Sequence, residues 1–104
     1  MKRKSIQIRD FSLAAEMLKA IAHPLRLRIL VLLCQQDLHV NALAERLEMN
    51  QSIVSQQLRI LRMRDLVAAK RENDFALYRI KEPHVREIVR CLASCQADRG
   101  VTDK

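Results

Sequence analysis

Glycine occurs once in these 104 residues, proline twice and tryptophan not at all, and Phe11, Phe75 and Tyr78 are the only aromatic side chains. A chain this poor in glycine has no Gly-rich phosphate loop and no nucleophile elbow. Its three histidines, His23, His39 and His84, fall in separate segments with no base and nucleophile paired, so an enzyme lacks its parts. Three aromatics do not anchor an amphipathic helix on a bilayer surface. No apolar run exceeds ILVLLC at 29–34, far below the roughly 20 residues of a membrane span. The opening MKRKSIQIRD lacks the apolar core of a secretory signal, and the expected location is the cytoplasm. Three cysteines, an odd number without such a signal, argue for free thiols or ligands in a reducing compartment rather than a disulfide scaffold. With no linker composition and no internal repeat, residues 1–104 read as one domain; a basic arm at 1–10 and a tail at 99–104 are expected to be disordered.

What is present is positive charge. Lys and Arg number 19 against 12 Asp and Glu, a formal +7, which calls for a polyanionic partner, either nucleic acid or an acidic membrane surface. At 104 residues the chain is near the low end of what buries a self-sufficient core, so a homodimer sharing its core is expected.

Along the chain, Leu13, Met17, Leu18 and Ile21 recur at helical spacing over 11–21, and a second helix follows Pro24 through LRLRILVLLC; both are expected to form core. VNALAERLEM, 40–49, gives a short third helix with Leu43, Ala44 and Leu47 inward. Asn50 is placed to cap a fourth, QSIVSQQLRILRMR, after a turn of three or four residues. The period then changes to that of strands at 66–71 and 75–80, around Glu72, Asn73 and Asp74, where Asn73 can adopt the left-handed conformation of a tight hairpin. Pro83 is expected to start a last helix. Two helices, a helix-turn-helix, a β-hairpin and a final helix make a mostly α winged helix-turn-helix, with the N- and C-terminal helices left to form a dimer.

In the fourth helix Val54, Leu58 and Leu61 share one face, while Gln51, Ser52, Ser55, Gln56 and Arg59 lie toward the other. Glutamine can pair with adenine through two hydrogen bonds, serine adapts to either base, and Arg59, Arg62 and Arg64 can meet guanine or phosphate. Such a face is more often merely solvated. The preceding helix-turn-helix and a following hairpin that carries Lys70 and Arg71 favour the major groove of double-stranded DNA.

AHPLRLRILVLL, LAERLEMNQSIVSQQLRILR and DLVAAKRENDFALYRI, in this order and at these intervals, resemble the ArsR/SmtB family of prokaryotic metal- and redox-responsive repressors, over roughly residues 13–96. The resemblance implies a homodimeric repressor whose operator overlaps its own promoter and which lets go when an inducer binds. Two positions depart from the family's pattern. Asp65 stands where glycine is frequent, and the acidic Glu72–Asn73–Asp74 replaces a wing tip of glycine followed by a basic residue, which argues against strong minor-groove insertion.

The last helix, EPHVREIVRCLASCQAD, carries a possible signal-reading site. His84, Ile88, Cys91 and Cys95 form one helical stripe, and His84 and Cys95 of one chain stand roughly 16 Å apart at 1.5 Å rise per residue. Across an antiparallel pair of such helices His84 would face the partner's Cys95, joined by Glu82 and Asp98. One imidazole, one thiolate and two carboxylates suit a tetrahedral divalent ion such as zinc or cobalt. The resemblance sharpens this set: Glu82, His84, Cys95 and Asp98 fill the ligand places of the zinc-responsive branch, with cysteine for its second histidine. In the plainer account Cys91 and Cys95, beside Ile88 and Leu92, only pack the dimer seam.

A thiol alternative has Cys91 and Cys95, with Cys34 as a third sulfur, meeting arsenite or an oxidant. A further alternative is a DNA-binding protein that answers to no ligand. The family's other metal site, a Cys-x-Cys pair opening the third helix, is absent. His39 stands there instead and reads as a solvent-facing turn residue, His23 as a helix cap or a surface residue, and Cys34 as a packing residue near the end of the second helix.

Overall fold

The structure, a computed structural model, describes residues 5–100; residues 1–4 of the expected arm and 101–104 of the expected tail lie outside the described residues. Residues 5–10 contain no helix or strand. Helix α1 spans Phe11–Ile21 and is capped by Asp10, whose carboxylate accepts from the Leu13 amide at 3.0 Å. Helix α2, Pro24–Gln35, begins with its proline in the first turn, where no amide is needed, and His23 Nδ1 accepts from the Leu25 amide at 3.2 Å. Of the two roles expected for His23, cap or surface, it takes the cap.

Helices α3 (Val40–Leu47) and α4 (Gln51–Met63) form the helix-turn-helix, joined by residues 48–50. The sequence predicts α3 through Met49, but the helix stops two residues earlier because Glu48 takes a left-handed conformation, φ 54°. Asn50 caps α4 as expected, its side-chain oxygen accepting from Ser52 and Ile53 amides at 2.9 and 3.3 Å.

Strands β2 (Val67–Glu72) and β3 (Phe75–Ile80) form the wing around Asn73, φ 55°, which is the left-handed residue the sequence places there. Asp65, also at positive φ (58°), occupies the position where the family often has glycine, and its carboxylate pairs with Lys81 at 3.1 Å. The sequence does not predict β1, Leu38–His39, which pairs antiparallel with β3 so that the sheet order is β1-β3-β2. Two residues are too few for a visible alternation; the pairing exists only because the fold brings β3 alongside.

Helix α5 runs His84–Asp98, with Pro83 just ahead of it rather than in its first turn. Its inner face is Val85, fully buried, with Ile88 and Val89 packed on the core. Ile29, Leu30 and Leu33 of α2, Leu43 of α3, and Val54, Leu58 and Leu61 of α4 make the centre of that core, all at 0% exposure. Burying a leucine of this kind is worth about 2 kcal/mol. Helix α1 departs from expectation: only Ala20 and Ile21 are buried, while Phe11, Leu13 and Leu18 remain exposed at 73, 59 and 60%.

Candidate functional site

Burial of Val54, Leu58 and Leu61 fixes the rotation of α4 and leaves Gln51, Ser52, Ser55, Gln56, Arg59 and Arg62 exposed. Ser52, Ser55, Gln56 and Arg59, spaced at three, four and seven, form one stripe, with Arg62 a turn further on. Among the described residues no side chain of this stripe is spent on a hydrogen bond or ion pair inside the chain. Arg64 is different. The sequence groups it with Arg59 and Arg62, but its Nη2 lies 2.9 Å from Glu16 Oε2, so it ties the end of α4 to α1.

The wing adds charge in an order the sequence alone does not show. The register pairs Lys70 with Leu77 and Arg71 with Ala76, so the two basic residues leave opposite faces of the sheet. Arg79, opposite Ala68, shares the face of Lys70 and is exposed. It is a basic wing residue that sequence reasoning missed, and the strand alternation would have revealed it. His39 also differs from its expected role. It is half-buried rather than solvent-facing, its Nδ1–H donates to the Ala76 carbonyl at 3.1 Å, and its ring meets Phe75 edge-on at 5.7 Å. Through these contacts the start of α3 braces the wing tip.

At the head of α5, Glu82 Oε1 accepts from both the His84 amide, at 3.1 Å, and His84 Nδ1–H, at 2.6 Å. The hydrogen bonds from His84 hold the Glu82 carboxyl below the usual range, and the same carboxylate raises the His84 imidazole above its ordinary value. A carboxylate on Nδ1 orients the ring and leaves Nε2 as the free coordinating atom. Cys91, Cys95 and Asp98 are exposed along the rest of the helix, so within one chain the cysteines are not packing residues. Among the described residues, no three His, Cys, Asp or Glu of a single chain gather as a metal shell. Cys34 is half-buried at the end of α2; burial pushes its thiol up, against the lowering effect of Arg86 and Arg90. Arg86 Nη1 also donates to the Cys34 carbonyl at 2.6 Å, fastening α5 to α2.

Residues 23–69, from the α2 cap into the wing, match the sequence profile of the bacterial regulatory proteins of the arsR family. The transcriptional activator HlyU of Vibrio cholerae is 36% identical over 88 residues, covering 83% of this chain and 82% of that protein. The chain belongs to the arsR family. Its solved relatives share the fold: the HlyU structure superposes with a TM-score of 0.80 at 32% identity, over 88% of this chain and 99% of that one. The homodimeric winged helix-turn-helix DNA-binding domain of Mb0332 from Mycobacterium bovis gives 0.74 at 34% identity, over 86 and 82%. A transcriptional repressor, the SmtB homolog of Synechocystis, is 39% identical over 79 residues, 76% of this chain and 60% of that protein. The arsR-family chain is therefore a transcriptional regulator by kinship, not an enzyme, and no described helix is long and apolar enough to cross a membrane.

Proposed function

We propose that this arsR-family regulator is a homodimer that binds a double-stranded operator through α4 and the wing, and that a divalent metal ion bound between the α5 helices switches its affinity. The observation that carries the DNA reading is the unengaged stripe Ser52, Ser55, Gln56 and Arg59, with Gln51 and Arg62 at its margins, on a helix whose other face is fully buried. Base edges are reached from this stripe; Lys70 and Arg71 contact phosphates, with Arg79 beside Lys70. The exposed Phe11, Leu13 and Leu18 of α1 and Leu92 of α5 support a shared dimer surface.

For the switch, Glu82 and His84 of one chain and the partner's Cys95 and Asp98 would hold the ion. Their chemistry fits: an imidazole, an exposed thiol and two carboxylates are the set for zinc or cobalt, and Glu82 would give up its bond to His84 Nδ1 to take the ion. A bound ion supplies a cross-link that is stronger in one dimer geometry than in another. Arg86 and Arg64 then make the connection within the chain: Arg86 fastens α5 to α2, and Arg64 fastens α4 to α1. A change between α5 helices thus reaches the separation of the two α4 stripes, which must match grooves roughly 34 Å apart. A coupling of a few kcal/mol suffices.

The test is a cobalt(II) titration of the reduced protein followed by absorbance, with operator binding measured on the same samples. Tetrahedral d-d bands, a thiolate charge-transfer band, one ion per chain and weakened DNA binding are expected. In His84→Ala these spectral and DNA responses should vanish while metal-free operator affinity stays. Absence of bands with unaltered DNA binding would overturn the metal reading. The second reading, thiols meeting arsenite or an oxidant, then gains: Cys91 and Cys95 are exposed, one helical turn apart. Cys34 is the weaker participant because burial raises its thiol.

A further inference from the structure

Two large apolar side chains of α4 reach solvent, Ile53 at 37% and Met63 at 73% exposure. Ile53 is the third residue of the helix, next to Ser52 and one turn before Gln56. It belongs neither to the core nor to the partly buried residues packed around it, and it lies on neither α1 nor α5, the helices assigned to the dimer surface. Its amide is fixed by the Asn50 cap at 3.3 Å, which leaves the side chain itself without a task inside the chain. The helix gains little from it. A β-branched residue loses rotamer freedom in a helix, and an acid would complement the dipole at this end, yet the first turn of α4 holds none. A lone exposed isoleucine on an ordinary surface needs no explanation. This one stands among the unengaged serine and glutamine side chains that face the bases in the proposed function.

A recognition helix reads base edges with its N-terminal residues, and its Cα–Cβ bonds tilt toward that end, so first-turn side chains project into the groove. Among the base edges of the major groove the apolar feature is the C5-methyl of thymine. We infer that Ile53 packs against one thymine methyl in each half-site, so that the regulator prefers thymine there to cytosine while Ser52 and Gln56 make the polar contacts beside it. Met63 is excluded by its place. Ten residues further on, it stands roughly 15 Å along the axis, at the end of α4 that Arg64 ties back to Glu16 of α1. The inference rests on the DNA reading of α4 and adds to it an apolar reader that hydrogen-bonding chemistry alone does not find.

The test is fluorescence anisotropy on duplexes from the protein's own promoter region, with full-length, reduced, metal-free protein at fixed salt and with non-specific competitor. Thymines are replaced one at a time by deoxyuridine, which keeps the base pair and lacks only the methyl. The wild type is expected to lose affinity roughly fourfold at one thymine of each half-site, and roughly 15-fold when both are replaced. Ile53→Ala should bind the unmodified duplex more weakly and lose little more on those deoxyuridine duplexes. Met63→Ala should keep the full wild-type loss, with circular dichroism and Tm showing both variants folded. Specific binding that no deoxyuridine weakens, a loss undiminished in Ile53→Ala, or a loss abolished by Met63→Ala instead would overturn the inference and leave the DNA reading of α4 standing. Failure of the wild type to bind any such duplex specifically would overturn both.

Discussion

Glu82 and His84 show how two residues set the chemistry of a helix end. His84 is raised by its bond to Glu82, so the pairing favours the folded chain fully below the ordinary imidazole value of about 6.5 and is lost as pH rises through the raised one. Glu82 is lowered, so its contribution is present above the ordinary carboxyl value of about 4.5 and is lost as pH falls through the lowered one. The pair is therefore at full strength between roughly pH 4.5 and 6.5. In Glu82→Gln the imidazole should return toward its ordinary value, which a histidine proton NMR titration checks; an unmoved midpoint would contradict the assigned cause. At this scale the sequence was uneven. The Asn50 cap and the left-handed Asn73 were legible because their signals are local. The Arg64 ion pair and the His39 brace were not, because Glu16 and Ala76 lie far along the chain and meet them only in the fold.

Elements were legible where burial is one-sided. The 54, 58, 61 spacing fixes α4 and its exposed stripe together, and Pro24 with His23 fixes the start of α2. Helix α1 misled because its apolar residues have the spacing of a core helix, yet only Ala20 and Ile21 are buried, with Met17 packed partly against them; periodicity cannot say whether the covering surface is one's own or a partner's. Leu18→Glu is accordingly expected to shift the protein from dimer to monomer in sedimentation velocity with little loss of helical content; an unchanged dimer would remove α1 from the interface. The wing raises a different issue. Exposed Glu72 and Asp74 at its tip repel phosphate beside Lys70 and Arg71. Neutralising both, Glu72→Gln with Asp74→Asn, should tighten operator binding several-fold at low salt, an effect that shrinks as salt rises. An unaltered affinity would place the tip away from the backbone.

For the whole molecule, the +7 charge gives non-specific attraction to any duplex, and in the proposed function specificity comes from the α4 stripe. The family and its winged fold were legible in the order of the segments. The proposed ligands on α5 come from the sequence alone: among the described residues no three of their kind gather within one chain, and the proposal needs a second chain to bring them together. In the proposed function α4 reads operator bases, with Arg59 among the readers. The most direct test is fluorescence anisotropy on a duplex from the protein's own promoter region, at fixed salt with non-specific competitor, comparing the metal-free wild type with Arg59→Ala. Loss of a good base contact is worth about 1–3 kcal/mol, so a roughly 5- to 150-fold weaker affinity, with Tm and dimerisation unchanged, is predicted. A folded, dimeric Arg59→Ala protein that binds as tightly as wild type would contradict it.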